Sequence, residues 1–182
     1  MWALVHQQLY NAGEAMLTGD KELAYKVISR ERRVNAFELK IDSDCEDIIA
    51  LYAPVAIDLR FVLAMYKINT NLERLGDFAE SIARFAGNLP EGEPIDPQLV
   101  KETRVEEMLS ELLSMISLTK EAFEKESSEI ASRIFLKDNL IDEINHNSTA
   151  IIAKYIEEHK GSALAGLYMA GVIRKMERFG DH

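Results

Sequence analysis

The sequence predicts an all-α fold of two pseudo-symmetric three-helix bundles built from antiparallel, spectrin-like helices. Three observations carry this. Nearly every long stretch repeats its apolar residues at helical spacing, while alternating strand patterns and Asn-Gly or Asp-Gly hairpin turns are absent. A single segment, Gly87 to Pro97 (GNLPEGEPIDP), holds three of the four prolines and two of the nine glycines, so helical pattern must stop there. The pentapeptides Glu73-Arg74-Leu75-Gly76-Asp77 and Glu177-Arg178-Phe179-Gly180-Asp181 repeat one ERxGD string 104 residues apart.

The first helix is expected from near Met1 to about Leu17, with Leu4, Leu9, Ala12 and Met16 on one face and Thr18-Gly19-Asp20 as its stop. A long second helix runs from Lys21 to about Tyr52, carrying Leu23, Val27, Ile28, Val34, Phe37, Ile41, Cys45, Ile48 and Leu51 among many charges. Pro54 ends it. The same proline is tolerated in a first turn, so a third helix restarts at Pro54. Its seam, Met65, Ile68, Leu72, Leu75, Ala79, Ile82 and Ala86, alternates steps of three and four, as in helices packed nearly parallel or antiparallel.

The second half repeats the first. At an offset of 107, Glu14-Ala15 matches Glu121-Ala122, Leu23 matches Ile130, Val27 matches Ile134 and Val34 matches Ile141. In the last helix the offset is 104, and Met169, Val172, Met176 and Phe179 take the places of Met65, Ile68, Leu72 and Leu75. The shortening falls where Glu157 to Leu164 replaces the proline restart with a turn built on Gly161. The expected organisation is a first repeat over 1–88, a linker over 89–97 and a second repeat over 98–182. The last helix stops at His182 where its counterpart continues, so the chain reads as short at its C-terminus.

Composition narrows the function. A formal net charge of -10 with no Lys/Arg run leaves no footprint for nucleic acid or an anionic membrane. There is no signal-peptide pattern and no run of about 18 apolar residues, which reads as a cytoplasmic protein without membrane insertion. The single cysteine, Cys45, excludes an internal disulfide framework and is expected to be a buried small hydrophobe.

The chemistry rests on acids. Glu and Asp at i and i+4 project from one helix face, so each ERxGD copy offers two carboxylates to one point. A mid-helix glycine costs roughly 1 kcal/mol relative to alanine, and its repetition at Gly76 and Gly180 implies that something approaches the backbone there. Asp138 and Asp142 repeat the acid-x-x-x-acid spacing on the preceding helix, where the first half has Glu31 and Asn35. Any one such pair in a chain this acidic also suits a solvated face. Oxygen-only donor sets favour magnesium, calcium, manganese or iron, and the Glu-x-x-His unit of di-iron bundles is missing. Arg74 and Arg178 are expected to hold the carboxylates through charge-assisted hydrogen bonds. Asp58, Arg60, His6, His146 and His159 carry no constellation, and neither a nucleophile triad nor a phosphate loop can be assembled.

The run Pro54-Val55-Ala56-Ile57-Asp58-Leu59-Arg60, followed by Leu72-Glu73-Arg74-Leu75-Gly76-Asp77 and by the second ERxGD string, resembles the PhoU family of phosphate-signalling proteins over nearly the whole chain. The resemblance implies a cytoplasmic, non-enzymatic negative regulator of phosphate uptake and of the phosphate-starvation response. It implies contacts with the phosphate ABC transporter through its ATPase PstB, and with the sensor histidine kinase PhoR. A homodimer is expected. It further implies metal clusters of iron, zinc, magnesium or manganese at Glu73 and Asp77, Glu177 and Asp181, Asp138 and Asp142, and Glu31 with Asn35. Asn35 departs from the family pattern, because an amide lacks the carboxylate's charge, so the second site is expected to bind more strongly. The family also begins earlier and continues further than this chain. Two other readings fit the same helices: the soluble portion of a sodium-phosphate cotransporter, and a carboxylate-bridged metalloenzyme, which lacks its histidine ligands here.

Overall fold

Local capping signals set the helix boundaries of the computed structural model, which describes residues 1–88 and 95–182. Helix α1 spans Trp2–Thr18 and ends at Gly19, whose φ of 71° supplies the left-handed C-cap. Asp20 accepts from the Leu23 amide and so caps α2, Lys21–Tyr52. Helix α3 covers Ala56–Asn88, two residues later than the proline-based expectation. The reason is that Ala53 and Ala56 both adopt left-handed backbone, with Pro54 inside the turn between them.

Part of the expected linker, residues 89–94, lies outside the described residues. After it, Asp96 accepts from the Gln98 amide and caps a short helix, α4, Pro97–Thr103. No expectation covered this element. It is separated from α5, Val105–Glu124, by Arg104 at φ 56°, a break that neither glycine nor proline signals in the sequence. Ser127 caps α6, Ser128–Glu158, and the Gly161 turn leads into α7, Ala163–Gly180. Among the described residues every regular element is a helix.

Helices α1, α2 and α3 pack on one another, and α5, α6 and α7 form the equivalent trio with α4 against α5 and α6. The two trios join through α3 on α7 and α1 on α5. Leu9, Met16 and Ile82 fill the first side of the core, and Met108, Leu112, Ile141, Met169, Ile173 and Met176 fill the second, all fully buried. Cys45 is free and buried, as expected.

Helix length decides how much of the α3 seam is covered. At 1.5 Å per residue the 17 residues of α1 reach about 25 Å, roughly half the length of the 33-residue α3. Burial on α3 accordingly concentrates between Asn69 and Ala86, while Met65 and Ile68 are only half-buried and Ile57, Phe61 and Leu63 are exposed.

Candidate functional site

Two acidic seams lie where the ERxGD helices meet their neighbours. In the first, α2 presents Glu31, Glu38 and Asp42 to α3, which presents Asn69, Glu73, Asp77 and Glu80. Glu31 is the centre of it. Only 6% of its surface is exposed, and among the described residues neither carboxylate oxygen has a hydrogen-bond partner. A buried carboxylate left without partners is costly, and the group responds by holding its proton. Burial chiefly, and then the negative charges of Asp77, Glu80 and Glu73, push its pKa up to about 7.

The glycine of the motif makes room for this contact. A Cβ on residue 76 would stand 2.9 Å from Val34 Cγ1 and 3.3 Å from Glu31 Oε2, closer than a side chain tolerates without displacing its neighbours. The expectation of a close approach therefore holds at Gly76. It does not hold at Gly180, where the nearest atoms, on Leu112, Ile141 and Asp138, lie at 3.4, 3.5 and 3.6 Å, ordinary contact distances.

The other first-seam acids are also raised. For Glu73 the causes are burial, Asp77 and Glu38, opposed by Arg74; for Asp77 they are burial and Glu80, opposed by Lys175. Glu38 is raised by burial, Asp42 and Asp77. Asn35 points elsewhere, being exposed on α2. Glu38 is thus the carboxylate that faces Asp77 and Glu73 on the turn after Asn35. Asn69, 1% exposed, ties the two helices together by donating through Nδ2 to the Glu38 carbonyl at 2.9 Å and to Asp42 Oδ1 at 2.7 Å, while its own Oδ1 is buried with no partner among the described residues.

The second seam is more open. Asp138 on α6 and Glu177 on α7 are half-buried, whereas Asp142 and Asp181 are exposed. Asp138 is raised by burial, Asp142 and Asp181, and Glu177 by burial, Asp181 and Asp142 against Arg178 and Arg174. The charges of Asp142 and Asp181 thus reach both Asp138 and Glu177. Beside them opens a cleft of about 390 Å³ whose lining includes Leu112, Ile134, Phe135 and Phe179 with Asp138 and Asp181.

The arginines of the motifs behave differently from expectation. Arg74 and Arg178 are exposed, and among the described residues neither forms an ion pair with its carboxylates; they act on Glu73 and Glu177 only through their field. Asp58, Arg60 and His146 are likewise exposed, whereas His159 stacks on Tyr155 at 4.3 Å, a partnership invisible in the sequence.

These donors suit a hard cation by type: carboxylate and amide oxygens, one of them a buried carboxylate with no partner. Among the described residues, however, no three His, Cys, Asp or Glu side chains stand close enough together to hold an ion as placed. Sequence reasoning missed Glu38, Asp42, Asn69, Glu80 and Lys175. The Glu38-to-Asp42 spacing repeats the acid-x-x-x-acid signal and was the one available clue.

Comparison with known proteins agrees with the duplicated architecture. The PhoU domain family matches residues 1–86 and 105–182. The phosphate-specific transport system accessory protein PhoU homologue of a Burkholderia species is 31% identical over 182 residues, covering 100% of this chain and 77% of that protein. The homologue of Aquifex aeolicus is 33% identical over 180 residues, covering 98% and 79%. Among solved structures, PhoU from Pseudomonas aeruginosa superposes with a TM-score of 0.92 at 30% identity, covering 100% of this chain and 86% of that one. The phosphate transport system regulatory protein PhoU from Streptococcus pneumoniae gives 0.83 at 28% identity, covering 99% and 84%. With its two ERxGD helices and both trios matched, the chain belongs to the PhoU domain family.

Proposed function

We propose that this protein is a non-catalytic, cytoplasmic regulator of phosphate transport that restrains phosphate uptake and the starvation response, acting as an adaptor between the transporter ATPase PstB and the sensor kinase PhoR. Relatives bearing the accessory-protein name match across the whole chain, and this supports the regulatory role. No helix among the described residues is long and apolar enough to cross a membrane. Self-association as a homodimer would present two copies of each acidic seam to such partners.

The observation that carries the cation-binding part of the reading is the unpartnered carboxylate of Glu31 behind Gly76. Glu31, Glu73 and Asp77, joined by Glu38 and Glu80, would hold a divalent or trivalent ion at the first seam. Asp138, Asp142, Glu177 and Asp181 would hold one at the second. Iron, zinc, magnesium and manganese are the candidates, with the all-oxygen donor set placing zinc last. A bound ion supplies positive charge that cross-links α2 to α3 and α6 to α7. The residues' part is structural: each seam joins two helices whose like charges otherwise repel.

Deletion of the gene tests the regulatory role. Phosphate-scavenging genes are expected to be expressed under phosphate excess in the deletion strain, and an unchanged response refutes it. Elemental analysis of protein purified without chelator tests the seams: bound metal is expected, reduced in the Asp77→Ala, Asp181→Ala double variant.

A further inference from the structure

A trough walled by three helices runs on from the C-terminal end of α7. Each wall faces it with residues at the steps of three and four that make a packing surface: Ile68, Leu72 and Leu75 from α3, Leu112 and Ile116 from α5, Ala131 and Ile134 from α6. Helix α7 occupies the space between α5 and α6 as far as Gly180, where a Cβ would stand 3.4 Å from Leu112 and 3.5 Å from Ile141. Past that point lies the cleft of about 390 Å³, with Phe135 at its mouth, 74% exposed. Further along the same faces, Phe61 of α3 stacks on Phe123 of α5 at 6.1 Å and marks the far end.

The internal repeat shows what such a trough takes. At the offset of 107, Leu112, Ile116, Ala131 and Ile134 correspond to Val5, Leu9, Ala24 and Val27, all fully buried. At the offset of 104, His182 corresponds to Phe78, from which α3 continues to Asn88. In that continuation Ala79, Ile82, Ala83 and Ala86 are fully buried and share one core cluster with the four wall residues. The first repeat therefore fills its trough with a helix that presents small apolar residues at i, i+3, i+4 and i+7. In the second repeat the wall residues Ala131 and Ile134 are only half-buried. Charge adds a direction. The lining carries two carboxylates, Asp138 and Asp181, both at the α7 end, and no lysine or arginine among the described residues. A helix that starts at that end brings the positive pole of its backbone dipole to the two acids, and a basic first turn adds to the match.

We infer that this trough is a docking site for an amphipathic helix of a partner protein, one with small apolar residues at i, i+3, i+4 and i+7 and a basic first turn directed at Asp138 and Asp181. From Leu75 to Phe61 the α3 wall is about 20 Å long at 1.5 Å per residue, which seats a helix of about 14 residues. Alanine-sized residues suit the contact because they let the incoming backbone approach the walls as closely as residues 79–86 approach theirs. The apolar walls supply affinity and the two acids fix the direction of the helix.

Binding of a synthetic peptide to the full chain tests this, with EDTA present so that cation binding at the seams plays no part. The probe is residues 78–88, FAESIARFAGN, with two lysines placed before Phe78 and fluorescein at the C-terminus. A saturable rise in anisotropy is expected. The unlabelled peptide should shift to the blue the emission of Trp2, the single tryptophan, which lines the trough. Ala131→Phe fills the trough and is expected to weaken binding by about tenfold or more. Asp181→Asn removes one acid and should weaken it roughly two- to fivefold. Thr119→Arg, at an exposed position on the α5 wall, should also block the peptide, so the inference stays testable if circular dichroism shows Ala131→Phe to be misfolded. A peptide carrying Ile82→Asp should not bind. Absence of saturable binding overturns the inference, as does unchanged affinity in any of the folded variants. A chain that sediments as a dimer and dissociates as the peptide binds would put a second copy in the trough, and that too overturns the assignment to a partner helix.

Discussion

Glu31 and Gly76 meet across the α2–α3 packing with 3.3 Å between Glu31 Oε2 and the place a Cβ on residue 76 would take. The contact explains why the ERxGD motif spends a glycine in mid-helix. It lets a buried carboxylate lie against backbone instead of against a methyl group.

Gly76→Ala should therefore destabilise the protein although alanine is the better helix former. The substitution gains roughly 1 kcal/mol of helix propensity. Against it stands overpacking on Val34 and Glu31, typically about 1–3 kcal/mol. A net loss near 1 kcal/mol lowers the melting temperature by about 2–4 °C for a chain of this size. Gly180→Ala is the control: its neighbours begin at 3.4 Å, so it should melt at or slightly above the wild type. Thermal melts in chelator check both, and a Gly76→Ala melt above wild type would contradict the packing argument.

The raised pKa of Glu31 gives a pH signature. With the native value up from 4.5 to about 7, the folded state keeps a proton that the unfolded state releases between those values. The stability associated with protonated Glu31 is complete below about pH 4.5, falls as pH rises, and is gone above about pH 7. The full span is of the order of 3 kcal/mol. In chelator, Glu31→Gln should therefore be more stable than the wild type at pH 8 by about 1–3 kcal/mol, with the gap closing by pH 4. Urea denaturation at the two pH values measures this. With saturating MnCl2 the order should reverse at pH 8, because the wild type gains binding free energy that the amide variant lacks.

Much of this fold is legible in the sequence because its signals are local. Asp20 and Pro54 bracket α2, the Gly161 turn separates α6 from α7, and the ERxGD repeat reveals the duplication. Arg104 is not legible: a left-handed arginine between α4 and α5 leaves no compositional mark. The acidic seams were half legible. Repeat alignment pointed to Asn35, which faces solvent, and passed over Glu38, since which turn of α2 faces Glu73 depends on how α2 and α3 cross. Lys175 could not be found at all from its own helix, because its significance comes from Asp77 on a helix of the other repeat.

The contact between Tyr155 and Asp96, 59 residues apart, yields the last prediction. Tyr155 Oη donates to Asp96 Oδ2 at 2.6 Å, while Asp96 Oδ1 accepts from the Gln98 amide at 2.8 Å and caps α4. One carboxylate thus fastens the start of α4 to the end of α6, and His159 stacks on the tyrosine from the next turn. The hydrogen bond from Tyr155, then that from Gln98, holds the Asp96 carboxyl below its ordinary value, and burial together with Asp96 pushes the Tyr155 hydroxyl up to about 12. A depressed carboxyl contributes stability that is present above its unfolded pKa of about 3.9 and is lost as pH falls through the native value. Tyr155→Phe removes a hydrogen bond to a charged acceptor, worth about 1.5–3 kcal/mol when well buried and discounted here toward 1 because Asp96 is partly solvated. The variant should unfold at lower urea at pH 7, and its deficit should shrink as the pH is lowered through the depressed titration of Asp96 and the carboxylate becomes protonated. Asp96→Ala, which loses the cap as well as the tyrosine's partner, should cost more than Tyr155→Phe at pH 7; equal losses would mean that the α4 cap contributes nothing.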